Sequence, residues 1–113
     1  MADKACSTPS VLLLSIAELA DKHRLEMHTG AGDKLQAALV EFLRDGAAAS
    51  SSPIDLQADL ITLLPRFVNA LVSSTHLGAA CRSCSIRIAS MVATEIIRDA
   101  EALSERQNTR GIH

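Results

Sequence analysis

From Leu77 to Ala93 the chain carries only two charges, Arg82 and Arg87, in a stretch otherwise made of aliphatic, small and hydroxyl residues. A helix that is apolar over most of its circumference must be buried in its own fold or pressed against a partner. This segment narrows the architectures open to the chain, and the residues around it narrow them further. Phe42 and Phe67 are the only aromatics, so any core is aliphatic. Strands favour β-branched and aromatic residues, whereas the Ala and Leu that dominate here are strong helix formers. Both observations point to an all-α fold. The same shortage of rings argues against stacking of single-stranded nucleic acid and against cages for methylated ammonium groups.

Punctuation along the chain divides it into four helices. Thr8-Pro9 reads as an N-cap followed by Pro at the first helical position. The first helix is predicted to run to about His28 with Leu12, Ile16, Leu19 and Ala20 on one face, ended by Gly30 and Gly32. Leu35, Ala38, Leu39, Phe42 and Leu43 give the second helix, predicted over Asp33 to Asp45 and stopped by Gly46. Ser52-Pro53 opens the third, with Leu56, Leu60, Leu63, Leu64, Phe67 and Leu71 along one side. Pro65 lacks an amide hydrogen and crowds the preceding turn, which predicts a kink or break near Thr62 to Leu64. The fourth helix is predicted to start between Thr75 and Gly78 and to reach about Glu105. One of its faces carries Leu77, Cys81, Cys84, Ile88 and Val92, and an adjoining one carries Ile86, Ala89, Ala93, Ile96, Ala100 and Leu103. The architecture expected from these elements is a small antiparallel four-helix bundle, third helix kinked or broken near Pro65. A chain of 113 residues fits one domain, spanning 1–113 with 1–8 and 106–113 as frayed tails.

Charge and cysteine usage bound the setting. Net charge is −2, and no carboxylate occurs between Asp59 and Glu95, an interval that holds Arg66, Arg82, Arg87 and His76. Three arginines fall short of the roughly six to ten phosphate contacts of strong duplex binders, so nucleic-acid binding through Arg66, Arg82 and Arg87 stands as a weak alternative. Cys6, Cys81 and Cys84 are an odd number in a chain without a disulfide-scaffold composition, which reads as free thiols in a reducing compartment. The apolar run Val11 to Leu14 is too short for a signal or membrane segment. We expect a cytoplasmic protein with no membrane association.

Catalytic and ligand signatures are sparse. There is no phosphate-binding Gly motif, no pair of Glu-x-x-His helices and no nucleophile elbow, so no enzymatic activity and no cofactor are expected. Cys81 and Cys84 are three apart, so on one helix they face the same way, and His76 lies just upstream. Together they could form half of a zinc or copper site, or a thiol pair activated by a helix N-terminus. Packing of the two thiols as small hydrophobes is the commoner outcome. Leu60, Leu63 and Leu64 spell LxxLL and are expected to be core.

The function expected from these features is a helical interaction module, an adaptor or complex subunit that binds a protein partner or itself. Its contact would be a surface on the fourth helix or on the kinked third one, with Arg87, Ala89, Ser90, Ala93, Thr94 and Ile97 of the fourth as the residues expected to carry it. The alternative is a metal, small-ligand or thiol-based sensor using His76, Cys81 and Cys84.

Overall fold

A computed structural model describes residues 10–111 of the chain. Among the described residues it contains four helices and no strand: α1 (Ser10–Lys22), α2 (Gly30–Ala48), α3 (Pro53–Ser74) and α4 (Arg82–Gly111). The expected all-α class and the number of helices are borne out. The proposed cap Thr8 lies outside the described residues. No described helix is long and apolar enough to cross a membrane. Backbone contacts gather into two compact units that divide between Thr62 and Leu63, inside α3.

In the first unit, α1 and α2 pack closely against each other. α1 stops at Lys22, six residues earlier than its apolar pattern suggests, because the next backbone groups find other partners. The Leu25 N–H donates to Gln36 Oε1 at 2.8 Å, and Gln36 Nε2 donates back to the Leu25 carbonyl at 3.0 Å. Arg44 on α2 reaches Glu18 and Asp21 on α1, its Nε and Nη2 donating at 2.8 and 2.9 Å. Residue 25 thus meets 36 while 18 and 21 meet 44, which is the register of an antiparallel pair.

These two polar clamps also decide which faces are covered. Gln36, Val40 and Arg44 are spaced by four along α2, so bringing Gln36 and Arg44 against α1 carries Val40 with them. Val40 is buried; Leu35 and Leu39, the obvious apolar positions, stay exposed. On α1 the buried pair is Leu13 and Ala17, whereas Leu12, Ile16 and Leu19 are exposed, a rotation of the face expected from the sequence.

α2 also starts earlier and ends later than predicted. Thr29 caps it in an extended conformation, accepting from the Gly32 N–H at 2.9 Å, so the Gly30 to Gly32 segment forms the first turn. At the other end the helix runs through Gly46, which is buried because the Leu56 side chain of α3 rests on it. The helix ends in a reversal at Ser50 (φ 54°), with the Ser51 N–H donating to the Gly46 carbonyl at 2.8 Å.

The start of α3 follows the sequence signal. Ser52 Oγ accepts from the Ile54 N–H at 3.2 Å, and Pro53 takes the first helical position. The helix continues unbroken through Pro65. The Thr62 hydroxyl donates to the Ala58 carbonyl at 2.8 Å, a bond within the same helix.

The second unit holds the rest of α3, a seven-residue connection and α4. Among its described residues, Val72 is the buried apolar one. α4 begins at Arg82 rather than near Thr75 to Gly78, because Leu77 (φ 56°) and Gly78 (φ 87°) are both left-handed and reverse the chain. The Gly78 N–H donates to the Ser73 carbonyl at 2.9 Å, closing the end of α3. At its far end α4 extends to Gly111, beyond the expected Glu105. Glu105, Arg106 and Gln107 are good helix formers, and nothing at those positions stops the helix.

Candidate functional site

The connection between α3 and α4 brings His76, Cys81 and Cys84 together. Their donor atoms, one imidazole nitrogen and two thiol sulfurs, all lie within 4.8 Å of one another, and each residue is half-buried. Cys81 is the residue before the first helical position of α4, and its carbonyl accepts the Ser85 N–H at 3.0 Å. Its thiol therefore occupies the capping position, where the backbone N–H groups of Ser83 and Cys84 point at it. Cys84 sits one turn in, and its sulfur is 3.5 Å from His76 Nε2.

His76 is oriented from behind. Its Nδ1 is 2.8 Å from the Val72 carbonyl at the end of α3, which also accepts the Thr75 N–H at 3.1 Å, and 3.0 Å from Thr75 Oγ1. A carbonyl can only accept, so the proton sits on Nδ1 and the Nε2 lone pair faces the cysteines. Thr75 Oγ1 donates to the same carbonyl at 2.8 Å. A further bond, Ser85 Oγ to Asn69 Oδ1 at 2.8 Å, ties the first turn of α4 to α3.

The two thiols are made unequal by this arrangement. Cys81 is held below its ordinary value, first by the Cys84 N–H, then by the Cys84 thiol and the Ser83 N–H, with the Arg87 charge adding to them against desolvation. Cys84 is pushed up because its proton is shared with the Cys81 sulfur; desolvation and the negative charge growing on Cys81 act in the same direction, opposed by Arg87. Cys81 is thus the more acidic thiol of the pair. The sequence reading expected the thiols to be packed as small hydrophobes; both are only half-buried.

A second feature of the same unit is an apolar groove of about 490 Å³ between the C-terminal part of α3 and α4. Leu64 and Val68 form one wall, and Ile86, Ala89, Val92 and Ile96 line the other. The groove is open, and the apolar residues that line it are bare: Leu64, Ile86, Val92 and Ile96 are all exposed, Ile96 at 64%. Leu63 and Leu64 of the LxxLL pattern are about half exposed as well, so they are not the core residues the sequence suggested.

Of the contact residues expected from the sequence, Ala89 and Ala93 line this groove. Arg87, Ser90, Thr94 and Ile97 are exposed on α4 outside it. The Thr94 hydroxyl donates to the Ser90 carbonyl at 2.9 Å, so its proton is already used within the helix and covering it costs little. Arg66, Arg82 and Arg87 are exposed too, but Arg82 lines the apolar groove and Arg87 acts on the cysteine pair. Sequence reasoning offered the third helix as an alternative contact surface but did not single out Leu64 and Val68 as a wall facing α4, nor the Val72 and Thr75 support of His76. Helical periodicity marks Leu64 and Val68 as apolar, yet nothing in it says that they face α4. Comparison of the chain with protein-family models, curated proteins and solved structures finds no match.

Proposed function

We propose that the chain is a non-enzymatic helical assembly module, an adaptor or complex subunit, whose groove between α3 and α4 receives an apolar helix from a second polypeptide. The observation that carries this reading is the apolar surface left bare around that groove. Fully burying a large aliphatic side chain is worth about 1.5–3 kcal/mol. Ile96, 64% exposed, therefore holds back about 1–2 kcal/mol until something covers it. Several such residues side by side are the hallmark of a contact surface rather than of scattered exposure. A second copy of the chain is the first partner to test, since α4 itself supplies an apolar helix of the kind the groove would take and a two-fold contact needs only one self-complementary patch.

The test is the mass of the native particle by light scattering and native mass spectrometry, for the natural chain and for Ala93→Glu. Ala93 is exposed, so Glu is harmless to the isolated chain but would be desolvated in the contact at a cost of several kcal/mol, more than about a hundredfold in dissociation constant. We expect an oligomer that becomes a monomer in Ala93→Glu with unchanged helicity. An unchanged oligomer with intact helices would remove this groove from consideration. A natural chain that is monomeric on its own would exclude self-association and leave a different protein as the occupant.

A further inference from the structure

We infer that His76 Nε2, Cys81 Sγ and Cys84 Sγ form a three-donor site for a thiophilic d10 cation, zinc(II), with the fourth tetrahedral position open. Two independent observations lead there. The first is spacing. Zinc bonds of about 2.3 Å to sulfur and 2.0–2.1 Å to nitrogen, at the tetrahedral angle, separate a sulfur from a nitrogen by about 3.6 Å. Cys84 Sγ and His76 Nε2 are 3.5 Å apart, and the Cys81 sulfur is within 4.8 Å of both. Closing the cluster onto an ion thus asks for side-chain adjustment, with the backbone left as it stands.

The second observation is the support of the imidazole. Metal-bound histidines almost always donate their other ring N–H to a carbonyl or carboxylate, which fixes the tautomer and aims the lone pair. His76 makes this contact, Nδ1 to the Val72 carbonyl at 2.8 Å, and the lone pair left on Nε2 points at Cys84. Two thiolates balance the charge of zinc(II), leaving a neutral centre, and a mixed sulfur and nitrogen set suits this borderline ion. Each thiol still protonated at the moment of binding releases its proton to solvent. With three protein donors and a half-exposed location, the fourth position is filled by water or by a group brought by another molecule.

The experiment uses the full reduced chain carrying Cys6→Ser, so that only the paired cysteines can contribute, freed of metal with a chelator. Cobalt(II) is added as a spectroscopic probe and then displaced with zinc(II). We expect a thiolate-to-cobalt charge-transfer band together with the visible bands of a tetrahedral ion, saturating at one ion per chain and lost on adding zinc. His76→Ala and Cys84→Ser, checked for unchanged helicity, should each weaken zinc binding by at least tenfold. Cys84→Ser is nearly isosteric and keeps the test decisive if His76→Ala disturbs the turn. Absence of the tetrahedral bands, or zinc binding that survives both substitutions, would overturn the site. So would a Cys81–Cys84 pair that closes to a disulfide under mild oxidant yet takes up no metal when reduced. None of these readouts depends on whether the chain assembles.

Discussion

Replacing Gly46 by Ala sets two effects of known size against each other. In a helix interior Ala is favoured over Gly by about 1 kcal/mol, so a purely local argument makes the change stabilising. The structure argues the reverse. A Cβ at Gly46 would stand 2.6 Å from Leu56 Cδ1, 3.1 Å from Cδ2 and 3.4 Å from Cγ. Carbon atoms in contact prefer about 3.5–4.0 Å, so both methyls and the branch point are too close and no turn of one methyl clears the overlap. Leu56 is 9% exposed and cannot simply swing into solvent. Overpacking of this kind costs about 1–3 kcal/mol, which leaves a net loss of about 1 kcal/mol after the propensity gain. For a chain of this size that lowers the thermal midpoint by about 4–8 °C. Gly30→Ala is the matched control, because nothing lies within 4 Å of its Cβ; it should be neutral or stabilise by up to about 1 kcal/mol. The assay is thermal and urea unfolding followed by far-UV circular dichroism at one protein concentration, since assembly would shift the midpoint. Adding Leu56→Ala to Gly46→Ala should recover part of the loss as a favourable coupling of about 1 kcal/mol. A Gly46→Ala chain as stable as the natural one, and uncoupled from Leu56, would refute the close approach.

Two further expectations follow from the first unit and from the turn after α3. Leu77 is fully exposed and left-handed at φ 56°, a conformation that strains a residue with a Cβ by about 1–2 kcal/mol. Leu77→Gly should therefore raise the thermal midpoint, and a fall would show that its side chain makes a contact worth more than the strain. The Arg44 guanidinium holds the Glu18 carboxyl below its ordinary value, and Arg24 together with Arg44 does the same for Asp21. Because both groups release protons more readily folded than unfolded, their contribution is complete above the ordinary carboxylate range and is lost as pH falls through the depressed folded values. Unfolding midpoints measured from about pH 6 down to about pH 2 should fall more steeply for the natural chain than for Arg44→Met; parallel curves would remove Arg44 from the link between α1 and α2.

The candidate site was half legible. The spacing of Cys81 and Cys84 stands in the sequence, and so does the possibility that a helix N-terminus activates the first thiol. The partnership with His76 does not, because it depends on the chain reversing at Leu77, and nothing about a leucine signals a left-handed residue. A helix predicted straight through from Thr75 would have put His76 and the cysteines on a common helix instead of folding the histidine back over the first turn of α4.

What the sequence by itself determined is the local part: helices of Ala and Leu, the start of α3 at Ser52-Pro53, and an α4 with more apolar surface than charge. These follow from backbone propensities and capping, which act within a few residues and need no partner. Which faces those helices bury was decided by tertiary structure. Gln36 and Arg44 turn Val40 towards α1 and leave Leu35 and Leu39 outside, and Gly46, locally a helix stop, lies inside α2 because Leu56 needs the space of its missing side chain. Hydrophobic periodicity ranks the faces of a single helix by what water disfavours. The face that packs is chosen by the fit of two surfaces, and side-chain bonds worth about 1 kcal/mol each are enough to rotate that choice.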